Sequence, residues 1–133
     1  MSESAIICVD DEVIILDSLK EQLKRKFGDR FIYEMAENAE EAWEIIEELQ
    51  EDEISIIAIV SDWLMPGIKG DEFLIQIHER FPDIVKVMLT GQADEEAIAR
   101  AKQDADLHAC IHKPWTEAEL AKVITTALPD RFL

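Results

Sequence analysis

A chain of 133 residues, 48% apolar and 32% charged, is long enough to bury a core without disulfides or a structural metal and too apolar to stay disordered. Thirty acids against thirteen Lys and Arg give a formal charge of −17, which opposes binding to nucleic acid or to an anionic membrane surface. No run approaches the length of a membrane span and the N-terminus lacks a signal-peptide pattern, so the expectation is one domain over residues 1–133, in the cytoplasm.

Ala5 to Val9 is short, apolar and uninterrupted, the pattern of a strand covered on both faces of a parallel sheet. From Glu12 to Lys26, Ile15, Leu19 and Leu23 recur every four residues and predict an amphipathic helix, which Gly28 ends. Phe31 to Ala36 alternates, with Phe31, Tyr33 and Met35 opposite Glu34, as on a half-exposed edge strand. Asn38 and Glu41 make a capping pair for a helix that buries Ala42, Ile45, Ile46 and Leu49. Nine acids and no Lys or Arg lie between Glu37 and Glu53, which reads as a solvated helix face.

Ile54 to Val60 is the longest apolar strand candidate and belongs at the sheet centre, with Asp62 at its exit and a Met65-Pro66-Gly67 turn beyond. Gly70 to Phe81 places Phe73, Leu74, Ile77 and Phe81 on one helical face and stops at Pro82; Ile84 to Leu89 is a fourth strand. Ala93 to Ala105 is a helix with one large apolar side chain, Ile98, so it is expected to pack loosely and to be the most mobile helix. Leu107 to Ile111 is a fifth strand. Thr116 with Glu119 caps a last helix carrying Leu120, Val123, Ile124 and Leu128, and Pro129 closes it.

Five strands alternating with five helices imply right-handed crossovers and a doubly wound α/β fold with a five-stranded parallel sheet. The second strand reads as an edge and the first and third as central, which selects the order 2-1-3-4-5. Ligands of such sheets bind at the carboxyl ends of the strands, and Asp10, Asp11, Asp62, Thr90 and Lys113 all fall there.

Taken singly, these residues have plainer roles: Asp10-Asp11 as a helix N-cap, Thr90 as a turn residue, Lys113 as a solvated loop lysine. Together, at four separate strand ends, they make a phosphoryl-transfer set. Three gathered carboxylates repel one another unless a cation joins them, and an oxygen-only set favours Mg²⁺. Asp62 is then the candidate nucleophile, Lys113 shares the charge of the equatorial oxygens, and the Thr90 hydroxyl donates to one of them.

The acid pair, the Asp-x-x-Met-Pro-Gly turn from Asp62 to Gly67, the lone Thr90-Gly91 and the Lys113-Pro114 pair resemble the receiver domain of bacterial two-component response regulators, of the chemotaxis-regulator type. The likeness runs from about Ala5 to Leu128. It implies a flavodoxin-like fold, Asp62 as phosphoacceptor, and Mg²⁺ held by Asp11 directly, Asp10 largely through water, Asp62 and the backbone carbonyl of Leu64. Thr90 would be the switch hydroxyl, Lys113 the phosphate-binding lysine, and the Lys113-Pro114 bond cis. It further implies a switch rather than an enzyme. A sensor histidine kinase or phosphotransfer protein donates the phosphoryl group, and a downstream effector domain or protein reads the surface of the fourth helix, fifth strand and fifth helix. That surface also offers a homodimer face.

This chain departs from the pattern at Cys110, where many receivers carry an aromatic residue that rotates on activation. Cys110 is the one feature favouring a pseudo-receiver, a binding module that keeps the fold without the phosphorylation. Leu64 and Gln92 border the path of the attacking water in receivers, and an apolar Leu64 cannot orient water, so slow self-dephosphorylation is expected. Leu64 also weighs against a phosphatase of the haloacid-dehalogenase kind, which needs an acid at that position. Neither a G-x-G-x-x-G nor a Walker loop follows any strand, against a nucleotide-binding domain. Cys8 and Cys110 read as small buried hydrophobes, too far apart for a disulfide. Trp63 is expected to report on the site, Trp115 to pack, His78 to lie at the surface or boundary, and His112 to be a minor candidate for phosphate contact.

Overall fold

Each apolar run forms a strand in the computed structural model, which describes residues 3–91 and 95–128. The elements alternate throughout: β1 (Ser4–Val9), α1 (Val13–Phe27), β2 (Ile32–Ala36), α2 (Ala39–Glu51), β3 (Ser55–Asp62), α3 (Gly70–Arg80), β4 (Val85–Thr90), α4 (Glu95–Asp104), β5 (Ala109–His112) and α5 (Glu117–Ala127). All strand pairings are parallel and the order is β2-β1-β3-β4-β5. The core is split by the sheet. Ile7, Val9, Ile59 and Met88 face α2, α3 and α4, while Ile6, Cys8, Val60 and Leu89 face α1 and α5.

Most boundaries fall within a residue or two of the sequence expectation, and the differences have local causes. The first helix closes at Gly28 (φ 58°), whose N–H donates to the Lys24 carbonyl, and a short 3-10 turn, Gly28–Arg30, follows that the sequence did not signal. The fifth strand starts at Ala109 rather than Leu107, because the Leu107 N–H is used to close α4, donating to the Ala101 carbonyl at 3.2 Å beside a left-handed Asp106 (φ 52°). On α1 the buried stripe is Leu16, Leu19, Leu23 and Phe27, with Ile15 only half-buried. Both capping pairs form as expected: Asn38 and Thr116 accept from the N–H groups of Glu41 and Glu119 at 2.8 and 3.1 Å. The expected start of the fourth helix at Ala93 and the close at Pro129 lie outside the described residues.

Strand β3 carries an irregularity that decides the site. Ala5 pairs with Ile56 but Ile6 pairs with Ala58, so Ile57 is skipped. Ile57 and Ala58 consequently both pack toward α1 and α5, and the alternation of the strand is inverted beyond that point. The shift brings Val9 opposite Ser61, so the next residues, Asp10 and Asp62, leave the sheet level with each other.

A basic side chain lies inside the sheet layer. Lys86 of β4 is 1% exposed, its stem covered by core and its ammonium bonded to the carbonyls of Ile84 (2.7 Å) and Pro82 (3.3 Å) and to Nδ1 of His78 (3.0 Å). An ammonium only donates, so Nδ1 of His78, a half-buried residue as expected, is the acceptor. Burial lowers the Lys86 pKa, opposed by the charges of Asp106 and Asp83.

Gly70 at the start of α3 is set by contact with the loop it follows. Its N–H donates to the Trp63 carbonyl at 2.7 Å, and a Cβ there would collide with the Asp62 carbonyl and stand 2.8 Å from the Trp63 Cα. Gly70→Ala is therefore expected to destabilise by roughly 1–3 kcal/mol despite the higher helix propensity of alanine. Gly91→Ala, with nothing within 4 Å of its Cβ, should change stability by less than about 0.5 kcal/mol. Urea unfolding of both variants checks this; equal effects would mean that the close approach at Gly70 is not a constraint.

Candidate functional site

The five polar residues singled out at strand ends converge on one crevice. Strands β1 and β3 are neighbours, so the residues following Val9 lie beside the end of β3. On the other side Asp62 pairs with Leu89 and Thr90 with His112, which puts Thr90 and Lys113 one step further along the same rim. The Lys113 N–H donates to the Thr90 carbonyl at 2.8 Å and the Lys113-Pro114 bond is cis. A small pocket of about 190 Å³ is lined by Glu12, Asp62, Leu64, Thr90, Gly91 and Lys113 together with Trp63.

The Lys113 ammonium bridges two acids, at 2.8 Å from Oδ2 of Asp10 and 3.2 Å from Oδ1 of Asp62. Asp10 is fully buried, and its other oxygen, Oδ1, accepts from the Glu12 N–H at 2.8 Å. The plainer reading of Asp10 thus also holds, since it satisfies a backbone donor at the entrance to α1. Both Asp10 oxygens are therefore engaged. Asp11, by contrast, is exposed.

Electrostatics at the crevice remain unbalanced. Burial, and then the Asp10 carboxylate, push the Asp62 carboxyl up to about 6, and Lys113 offsets only part of that rise. Burial alone would depress the Lys113 ammonium, but its bond to Asp10 and the charges of Asp10 and Asp62 outweigh burial and hold its pKa above the ordinary value. Oxygens of Asp10, Asp11 and Asp62 lie within 4.8 Å of one another. A set of three carboxylates with one lysine and no nitrogen or sulfur ligand suits a hard divalent cation such as Mg²⁺.

The remaining expectations sort clearly. Trp63 is half-buried against the site, its backbone N–H donating to the Leu89 carbonyl at 2.9 Å and its ring carrying the Lys69 ammonium at 4.9 Å. Trp115 packs as expected and donates to the Gln22 side chain at 2.8 Å. Leu64 is 57% exposed at the pocket mouth, whereas Gln92 lies outside the described residues. His112 is exposed. Cys8 is buried, its thiol pushed up to about 12 by burial and by Asp10, and both cysteines are free. Cys110 is only half-buried, contrary to expectation, because β5 is short and forms the second edge of the sheet, where Ile111 alone is fully covered.

Sequence reading missed Glu12, Ser61 and Gly70. The Ser61 hydroxyl is buried and bonds the Asp62 carbonyl at 3.0 Å. A glycine at the first position of a helix was the available signal for Gly70, since that position gains nothing from glycine unless another backbone passes close by.

Comparison with known proteins agrees with this geometry. The hydrogenase transcriptional regulatory protein HoxA of Cupriavidus necator is 30% identical over 126 residues, which make up 95% of this chain and 24% of that protein. A CheY-like response regulator receiver domain protein from Methanospirillum hungatei JF-1 superposes with a TM-score of 0.80 at 29% identity, covering 95% of this chain and 93% of that one. The beryllofluoride-activated NtrC4 receiver domain dimer gives a TM-score of 0.80 at 26% identity over 97% of this chain and 98% of its own. The chain spans about a quarter of the length of the HoxA proteins it matches. The family model for the response regulator receiver domain matches residues 6–125, and the chain belongs to that family.

Proposed function

We propose that residues 1–133 form one receiver domain that accepts a phosphoryl group on Asp62 from a sensor histidine kinase or a phosphotransfer protein, in the cytoplasm, and passes the signal to an effector by changed contacts. The observation that carries this is the Lys113 ammonium held between Asp10 and Asp62 at the mouth of the pocket. An Asp62 carboxylate oxygen attacks phosphorus, the phosphorus–nitrogen bond of the donor phosphohistidine breaks, and its electron pair stays on the imidazole nitrogen. Lys113 is free to swing from Asp62 to a phosphoryl oxygen while keeping Asp10, and the Thr90 hydroxyl donates to another oxygen. Asp11, Asp62, the Leu64 carbonyl and Asp10 would hold Mg²⁺, which would supply positive charge to neutralise the transferring oxygens.

Output runs through α4, β5 and α5; α4 buries only small side chains fully, Ala97 and Ala101. The NtrC4 receiver is a dimer in its beryllofluoride-activated form, which supports a homodimer here; we assign its face to the same α4, β5 and α5 surface. With a charge of −17 the chain itself makes no direct contact with DNA, even where a longer relative is a transcriptional regulator.

Incubation with a small acyl phosphate and Mg²⁺ should add one phosphoryl group to the intact mass of the wild type and none to Asp62→Asn or to the metal-free protein. The same adduct measures the lifetime. An apolar Leu64 at the pocket mouth should leave the acyl phosphate standing for minutes or longer, and Leu64→Asn should shorten it several-fold; a wild-type lifetime of seconds would sink that part of the reading.

Stability should follow pH with a definite sign when divalent cations are chelated. The folded state holds the Asp62 proton more tightly than an ordinary carboxyl of pKa 3.8. The resulting stabilisation is complete below about pH 4 and is lost as pH rises through about 6. At pH 8 Asp62→Asn is expected to exceed the wild type by roughly 1–3 kcal/mol in urea unfolding, and at pH 4 to differ little from it. No gain at pH 8 would show that Asp62 is not held against its charge.

A further inference from the structure

A second cleft, of about 690 Å³, lies between α2 and the loop that follows Asp62, lined among others by Trp43, Pro66 and Ile68 and by Glu40, Glu44 and Glu47. Its volume is that of a ligand-binding cleft and several times that of the pocket at Asp62. Trp43 makes its floor and is held rigidly. The indole Nε1 donates to the Gln76 side chain at 3.4 Å, the ring stands edge-on to Phe73 with centroids 5.9 Å apart, and the Arg80 guanidinium lies over it at 4.9 Å.

The acids of α2 are not spread evenly about that floor. Glu40, Glu44 and Glu47 follow at i, i+4 and i+7 and are exposed along the cleft, whereas Glu41, Glu48 and Glu51 lie outside its lining. No lining residue is basic, and α2 has no basic residue in its last turn to offset three like charges on one stripe. Of the neighbouring cations, Lys69 sits on the Trp63 ring and Arg80, over the Trp43 ring, is one positive charge beside the three glutamates. What results is an apolar floor with a net negative rim.

We propose that this cleft docks a basic segment of a partner protein, with one apolar side chain seated against Trp43, Pro66 and Ile68 and flanking Arg or Lys residues paired with Glu40, Glu44 and Glu47. Charge complementarity selects this occupant. A second copy of the chain would bring −17 and the same acidic stripe against it, and nucleic acid or an anionic membrane would be repelled in the same way. The docking needs no phosphorylation, although its wall, Pro66 to Ile68, belongs to the segment that starts one residue after Asp62.

The test uses the unphosphorylated chain without Mg²⁺, so it stands or falls apart from phosphoryl transfer. Two capped octapeptides are titrated by calorimetry at about 0.15 M salt, one alternating arginine with leucine and one alternating arginine with serine. The arginine–leucine peptide is expected to bind one to one, about tenfold or more tighter than its serine counterpart, and to shift the Trp43 indole N–H resonance. Combined E40Q, E44Q and E47Q should weaken it about tenfold, while E41Q, E48Q and E51Q, which remove the same charge beside the cleft, should weaken it less than about threefold. Equal loss in the two triple variants, equal binding of the two peptides, or no saturable binding would each overturn the docking site.

Discussion

A carboxylate with almost no exposure needs a cation, and at the head of this sheet one ammonium serves two of them. Lys113 comes from the end of β5 and reaches Asp10 after β1 and Asp62 at the end of β3, so three strands are tied by a single group. Its charge is not sufficient. Asp62 stays well above the ordinary carboxyl range because burial and Asp10 together outweigh Lys113. The site is thus stable enough to fold and still short of positive charge. That shortage is the physical basis of the proposed divalent cation and of the proposed charge-sharing role of Lys113.

The crevice lies where the central strands end. From Ala58 to Val60, β3 is fully buried on both faces, and its first available acid is at its end. Where that end falls relative to β1 depends on the skipped Ile57, and how the chain leaves it depends on Gly70 pressed against the Asp62 backbone. Both features act on where Asp62 sits without touching its carboxylate.

The helices are held by different kinds of contact. α1 and α5 are joined by Arg25 to Glu117 at 2.6 Å and by Trp115 to Gln22, over a core of Leu16, Leu19, Leu120 and Ile124. α4 buries only Ala97 and Ala101 fully, with Ile98 half-covered, and its Arg100 reaches the exposed Glu72 at 2.7 Å and Asp71 at 3.4 Å. The α4 helix thus rests on small apolar side chains and on ion pairs from one partly exposed arginine. The acidic α2 differs again: its buried face is ordinary, and its distinctive chemistry is turned outward over the cleft at Trp43.

Hydrophobic periodicity and turn residues sufficed to read the order of elements, the parallel sheet and the residues at its carboxyl ends, because burial on one or two faces writes itself into spacings of two, four and seven. The same local signals foretold both capping pairs. Tertiary structure alone decided the rest. The register that sets Asp62 level with Asp10 comes from a one-residue irregularity that no pattern marks, since Ile57 and Ala58 are equally apolar on either face. The use of Leu107 to close α4 rather than to open β5, the half-covered Cys110 on the second edge, and the buried ammonium of Lys86 all turn on which neighbour's carbonyl or side chain lies within reach. Likewise the nine acids from Glu37 to Glu53 look uniform in sequence, and only the packing of α2 beside the Pro66 loop divides them into a solvated set and a set that rims a cleft. Spacing along a chain records what a residue must avoid, water or burial, but not which distant residue it will meet.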